Sequence, residues 1–231
     1  HVLRLPVTSL VGLDAALHIF LSGLGMALFC RSLGVSAAGA LVGALAYAAS
    51  GTQVSILFAG HDGNMISMAL VPWAFWALHR GLRASGWTGA LRGGALCGFF
   101  LALQLLAIGM QIFAYAILGL AAFAFWRAWS ARPSSVRDGA PVSGRASWIR
   151  AGGTLAAAGL FGFLLSAPQV LPSLAYKSHS WREGFTYKDF TTWSFNPAEA
   201  LGWIVPGYFG WRSPTYRGAW DFCLSTEYLG L

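Results

Sequence analysis

Charged side chains are scarce: only 10% of this 231-residue chain is Asp, Glu, Lys or Arg, against about 25% in an ordinary water-soluble domain. With 56% hydrophobic residues and a mean hydropathy of +0.59, a soluble globular enzyme is excluded. Carboxylates are scarcest of all, 8 against 15 Lys and Arg, which leaves a net charge of +7. In a soluble protein that excess would point to nucleic acid. Here the arginines lie between apolar stretches, where they set orientation in a bilayer, so no nucleic-acid partner is assigned. Cys30, Cys97 and Cys223 are too few and too scattered for a disulfide framework or a CxxC metal site. A leading Met and a basic-then-apolar leader are also missing, and the chain stops at Leu231 as an apolar run begins; both features predict an internal piece of a longer protein.

Apolar stretches close to the roughly 20 residues that a membrane-crossing helix needs are abundant. They predict spans over 14–30, 37–58, 65–78, 93–108, 111–127 and 152–170. The fold class is therefore all-α, a polytopic transmembrane helical bundle of about six spanning helices plus an extracytoplasmic loop region. Pro72 interrupts the third span, where a neighbour must satisfy the carbonyl it frees. Gly109 divides the long run from Gly93 to Trp129. Residues 1–173 form the transmembrane region, with a Pro/Gly/Ser-rich cytoplasmic loop at 130–150. Residues 174–226 form the extracytoplasmic loop, including an interfacial segment at Pro206–Trp211, and 227–231 start a further span.

Six spans put Arg31, then Arg80, Arg83 and Arg92, then Arg127, Arg132, Arg137, Arg145 and Arg150 on one face, which the positive-inside rule makes cytoplasmic. Gly39/Gly43, Gly89/Gly93 and Gly94/Gly98 carry the small-residue spacing that lets membrane helices approach closely. Helix packing is the expected use of all three.

Ionisable residues at membrane depth are costly, which singles out a few positions. Asp14 and His18, four apart, share a helix face; they can orient a general base or join a metal site, or simply form an interfacial carboxylate and a satisfied histidine. His61 and Asp62, flanked by Gly60 and Gly63, sit in a tight outer turn that either aims both side chains at one place or merely turns the chain. Gln104, Gln111 and Gln169 read as hydrogen-bonding glue between helices. In the outer segment, Lys177, Arg182 and Lys188 can clamp a phosphate, while Trp181, Tyr187 and Trp193 can stack on sugar faces or sit at the lipid interface. No metal-ligand motif is present.

Several runs resemble a known family. Leu24–Ser36, Ala44–Gly51, the His61 hairpin, Leu70–Trp73, Ala102–Leu106, Ser166–Pro172, Ser180–Arg182, Pro206–Gly210 and Glu227–Leu231 together resemble YfhO-type bacterial membrane proteins of the wider GT-C class of glycosyltransferases. The likeness spans nearly the whole chain, in short motifs. It implies a GT-C-like bundle in the bacterial inner membrane that transfers a sugar from a polyprenyl-phosphate-linked donor to an acceptor at the extracytoplasmic face. In that class the catalytic acid lies in a first outer loop, which would precede His1; within this chain Asp14, His18, His61 and Asp62 are the candidates to assist the acceptor or a divalent metal. Arg182, then Lys177 and Lys188, would stabilise the leaving phosphate. Where relatives carry Gly-His-Pro-Gln, this chain has Ile108-Gly109-Met110-Gln111, which lacks the His-Pro pair. Two other classes compete. A transporter needs polar groups near the bilayer centre, and the charges here gather at span ends. A non-catalytic subunit of a larger membrane complex would use the same apolar faces for packing.

Overall fold

The computed structural model describes residues 6–58, 60–131, 136–137, 140–141, 144–180, 184, 186–191, 196–205, 207–210 and 215–218. Among the described residues the regular structure is helical, apart from a two-residue antiparallel pairing of β1 (Val136–Arg137) with β2 (Ala140–Pro141). Seven longer helices make the body: α1 (Val7–Ser32), α2 (Ala37–Ala48), α3 (Gly51–Phe58), α4 (Asp62–Arg83), α5 (Trp87–Leu106), α6 (Met110–Trp129) and α7 (Gly144–Tyr176). A short α8 (Tyr187–Thr191) and 3₁₀ turns at Lys177–His179 and Pro197–Trp203 follow.

Among the described residues, four helical segments are long and apolar enough to cross a membrane: Thr8–Ser32, Trp87–Leu106, Met110–Trp129 and Gly144–His179. They cover four of the expected spans. The remaining two depart from expectation. The run 37–58 is two helices, because the chain leaves helical geometry at Ala49 (φ −98°, ψ 15°) and Ser50-Gly51 starts a new helix; a Ser/Gly pair is a common place for such a break. The run around 65–78 is one continuous helix over Asp62–Arg83, less apolar because it carries Asp62, Asn64, Ser67, His79, Arg80 and Arg83. It can carry them because it is the hub, packed against α1, α3, α5, α6 and α7, with Met65, Ala69, Ala74, Ala77 and Leu78 buried.

Pro72 lies inside α4 without ending it. Lacking an N–H, Pro72 leaves the Met68 carbonyl without its helical donor. The Tyr47 hydroxyl on α2 donates to that carbonyl at 2.8 Å, so a neighbouring helix repairs the ladder as the sequence reading requires. Pro168 and Pro172 do not end the last long helix, which continues to Tyr176 and begins at Gly144, inside the stretch read as loop. Their four-residue spacing means that Pro172 would have donated to Pro168's carbonyl, so the two interruptions fall on adjacent turns of one face.

Of the three small-residue pairs, Gly94/Gly98 packs helices as expected, but Gly39 and Gly89 meet only chain neighbours at their own helix starts, leaving Gly43, against Cys30 of α1, and Gly93 as the packing members of their pairs. A side chain at Gly93 would meet the Gly81 backbone of α4, and side chains at Gly94 and Gly98 would meet the Thr154 and Ala158 carbonyls of α7. The helices therefore touch backbone to backbone. Gly25 on α1 does the same for one side chain: its bare face admits the Trp73 indole, whose Nε1 donates to the Leu21 carbonyl at 2.9 Å.

Candidate functional site

Cross-helix contacts fix the directions of the helices. Leu21 meets Trp73 and Ser32 meets His79, so α1 and α4 run parallel. Gly81 faces Gly93, so α5 runs against α4; Gly94 faces Thr154 and Gly98 faces Gly162, so α7 runs with α5. Phe75 packs by Gly119 and His79 by Phe123, so α6 runs with α4. One end of the bundle therefore gathers Arg31, Arg80, Arg83, Arg92, Arg127 and Arg150, as the sequence reading expects. The other gathers Asp14–His18, His61–Asp62, the turn between α5 and α6, and the end of α7.

At this second end the turn is tight and strained. Ile108 has φ +64°, a left-handed conformation that a β-branched residue rarely adopts. Gly109 follows, its N–H donating to the Gln104 carbonyl at 3.2 Å, and a Cβ on Gly109 would collide with the Ser67 side chain. The Ser67 hydroxyl donates to the same Gln104 carbonyl, also at 3.2 Å. Gly63, one turn earlier on α4, lies against the Ala107 carbonyl. The α5–α6 turn is thus seated on the first turns of α4, directly behind His61 and Asp62.

Those two residues are exposed. His61 occupies the N-cap position of α4 with no capping bond from its side chain, while its N–H donates to the Ile56 carbonyl at 3.1 Å. Asp62 stands in the first helical turn, where the helix dipole favours a carboxylate. On α1, His18 Nδ1 is 3.3 Å from Asp14 Oδ1 and 2.9 Å from the Asp14 carbonyl, so the i,i+4 pair does meet. Asp14 is half exposed and His18 largely covered.

Gln104 is fully buried, and neither atom of its side-chain amide has a hydrogen-bond partner; the same is true of Gln53 on α3. Buried polar atoms are almost always paired, so two spare amides within the helical body are unusual. Sequence reading found Gln104 but took its amide for interhelical glue; only its backbone carbonyl has that role. Gln53 was not singled out, since one amide in an apolar run carries no periodic signal. Gln111 and Gln169 are exposed, and Gln111 bonds Tyr115 on its own helix.

Of the outer cations, Lys177 lies exposed in the 3₁₀ turn that continues α7, and Lys188 lies exposed on α8. Tyr187 is 83% exposed, open to a ligand or a lipid surface. Arg182, Trp181 and Trp193 lie outside the described residues, as does 227–231. The Thr186 hydroxyl and N–H each donate to the Asp189 carboxylate at 2.7 Å, which holds its carboxyl below the ordinary carboxylate range. Residues Gly207–Gly210 make a turn closed by Gly210 N–H to the Gly207 carbonyl at 2.8 Å. Among the described residues no three His, Cys, Asp or Glu side chains gather closely enough to hold a metal ion. No protein-family model, curated protein or solved structure matches the chain.

Proposed function

We propose that this chain is the membrane part of a GT-C-like glycosyltransferase that takes a sugar from a polyprenyl-phosphate-linked donor at the extracytoplasmic face of a bacterial inner membrane. One observation carries the reading: the end of the bundle away from Arg31, Arg80, Arg83, Arg92, Arg127 and Arg150 gathers His61–Asp62, Asp14–His18, the Ile108–Gly109 turn and the Lys177 end of α7, so groups distant in sequence converge on one end. A donor phosphate entering from the lipid would meet Lys177, Arg182 and Lys188, with Arg182 offering a bidentate fork. His61 and Asp62, or Asp14 and His18, would assist an acceptor hydroxyl directly, since neither pair has a third ligand beside it, among the described residues, to hold a divalent metal. Trp181, Tyr187 and Trp193 supply aromatic faces for the sugar or the lipid boundary.

In this reading the bundle makes six crossings. The 12 residues of α2 and 8 of α3 together span about 30 Å at 1.5 Å per residue, enough for one broken crossing. α4 crosses inside a sleeve of other helices, which explains its lower hydropathy. Position 108 adds support: its backbone takes the conformation glycine adopts most readily, and the resembled family's pattern has glycine there.

The test is donor binding and transfer by the full protein in proteoliposomes, using a radiolabelled polyprenyl-phosphate-linked hexose. The wild type is expected to bind the donor and release polyprenyl phosphate, and Arg182→Ala to lower both at least tenfold. Donor binding unchanged in Arg182→Ala, or none in the wild type, would overturn the reading and favour a non-catalytic subunit of a larger complex.

A further inference from the structure

The opposite end of the bundle has its own unassigned chemistry. Phe29 of α1, His79 of α4 and Phe123 of α6 pack ring against ring, with the His79 and Phe123 centroids 5.8 Å apart. Because α4 and α6 run parallel, the residues four positions on, Arg83 and Arg127, fall together one turn nearer the helix ends. Each stands in the last turn of its helix, whose carbonyl end favours a cation, and two cations side by side there also favour an anion between them. The described acidic residues are Asp14, Asp62, Asp189 and Glu199, none of them at this end, and the one described ion pair joins His18 to Asp14.

Neighbouring groups are already committed. His79 Nε2 lies 3.1 Å from the Ser32 carbonyl, Arg31 donates to the Val35 carbonyl at 2.8 Å, and Arg80 lies over the Trp76 ring. Arg150 donates to the Ala84 and Ser85 carbonyls. Arg83 has only a long 3.5 Å contact to Ser32, and Arg127 rests near the Trp126 ring. His79 Nδ1 is the one buried polar side-chain atom at this end, among the described residues, that lacks a partner. Beside Arg127 the Trp126 indole, packed on Phe123, is 53% exposed, whereas Phe125 and Trp129 lie on the opposite face of α6, toward Trp148 of α7. Two guanidiniums with no carboxylate partner among the described residues, next to an exposed indole, match the depth at which lipid phosphates lie.

We propose that Arg83 and Arg127 clamp the phosphate of an anionic membrane lipid on the face where α4 meets α6. The exposed Trp126 indole beside them meets the upper part of the acyl chains, and for that reason the occupant is a lipid rather than free phosphate. The site is independent of sugar transfer and lies at the other end of the bundle.

The test uses the full chain in nanodiscs of phosphatidylcholine, alone or mixed with phosphatidylglycerol. Retained lipid is read by native mass spectrometry and stability by thermal midpoint. The wild type is expected to retain phosphatidylglycerol selectively and to melt higher in its presence. Arg83→Gln and Arg127→Gln should each lower that selectivity about tenfold, the scale of one lost charge-assisted hydrogen bond, while folding in phosphatidylcholine. Should Arg127→Gln fail to fold, the exposed Arg83 carries the test by itself. The paired control Arg31→Gln/Arg92→Gln removes two charges from the same end and should leave selectivity intact. Equal loss in that control would reduce the site to diffuse positive charge. Displacement of the lipid by millimolar inorganic phosphate would make it a free-anion site. Wild type that shows no preference for phosphatidylglycerol has no such site. Any of these three results overturns the proposal.

Discussion

At the arginine end of the bundle, charged side chains close the helices: Arg31 caps the α1–α2 turn through Val35, His79 and Arg83 reach Ser32, and Arg150 reaches Ala84 and Ser85. At the opposite end backbone does that work. The Ile108–Gly109 turn is pressed onto Gly63 and Ser67, and the polar groups behind it are hydroxyls and amides, two of them unpaired. One end is tied by long, adaptable cations. The other is a steric fit with hydrogen-bonding capacity left over. In a bilayer the arginines would bias how the bundle sits, while the buried amides without partners at the closely packed end would welcome a ligand that supplied them.

The largest expected effect comes from breaking the steric end. Gly63→Val drives a side chain into the Ala107 carbonyl, and such overpacking should destabilise the protein by about 3 kcal/mol. Gly159→Ala in open space on α7 should be neutral or slightly stabilising. Thermal unfolding in nanodiscs compares the two; equal behaviour would remove the steric account. At the charged end, Arg150→Ala should cost about 2 kcal/mol through its bonds to Ala84 and Ser85, with Arg150→Lys recovering part.

Smaller still is the repair at Pro72. Tyr47→Phe should cost about 1 kcal/mol in the wild-type background and close to nothing after Pro72→Ala, which returns an N–H to Met68. A double-mutant cycle with no coupling would contradict that pairing. Least in size is the effect of acid on the outer segment. The Asp189 carboxyl is held low by Thr186, so the tie is intact above the ordinary carboxylate range and is lost as pH falls through the lowered value. The protection factor of the Thr186 amide, its exchange rate relative to the intrinsic rate at each pH, should fall with that acidification and stay level in Asp189→Asn.

Much of this architecture is legible in the sequence because hydropathy and small-residue spacing report on what a helix packs against. Gly94 and Gly98 mark the α5–α7 seam, Gly109 marks the turn, and Pro72 announces that a neighbour must donate. Helix limits are less legible. The Ser50-Gly51 break lies inside an unbroken apolar run, and hydropathy does not register backbone geometry. Pro168 and Pro172 look like terminators, yet an i,i+4 pair of prolines can ride on one face of a continuing helix. The polar residues that matter at the ends are hardest to see. His79 sits between Leu78 and Arg80 with nothing to distinguish it from an interfacial residue, and its burial against Phe29 and Phe123 depends on three helices meeting. Gln53 is likewise invisible until α3 is laid against α4.

Sidedness is the most direct test of the account. In a chain whose native cysteines are replaced, His61→Cys and Ser178→Cys should both react with a membrane-impermeant maleimide added to intact cells, and Ser85→Cys should react only after permeabilisation. Reaction of positions 61 and 178 from opposite sides, or of position 85 from outside, would contradict it.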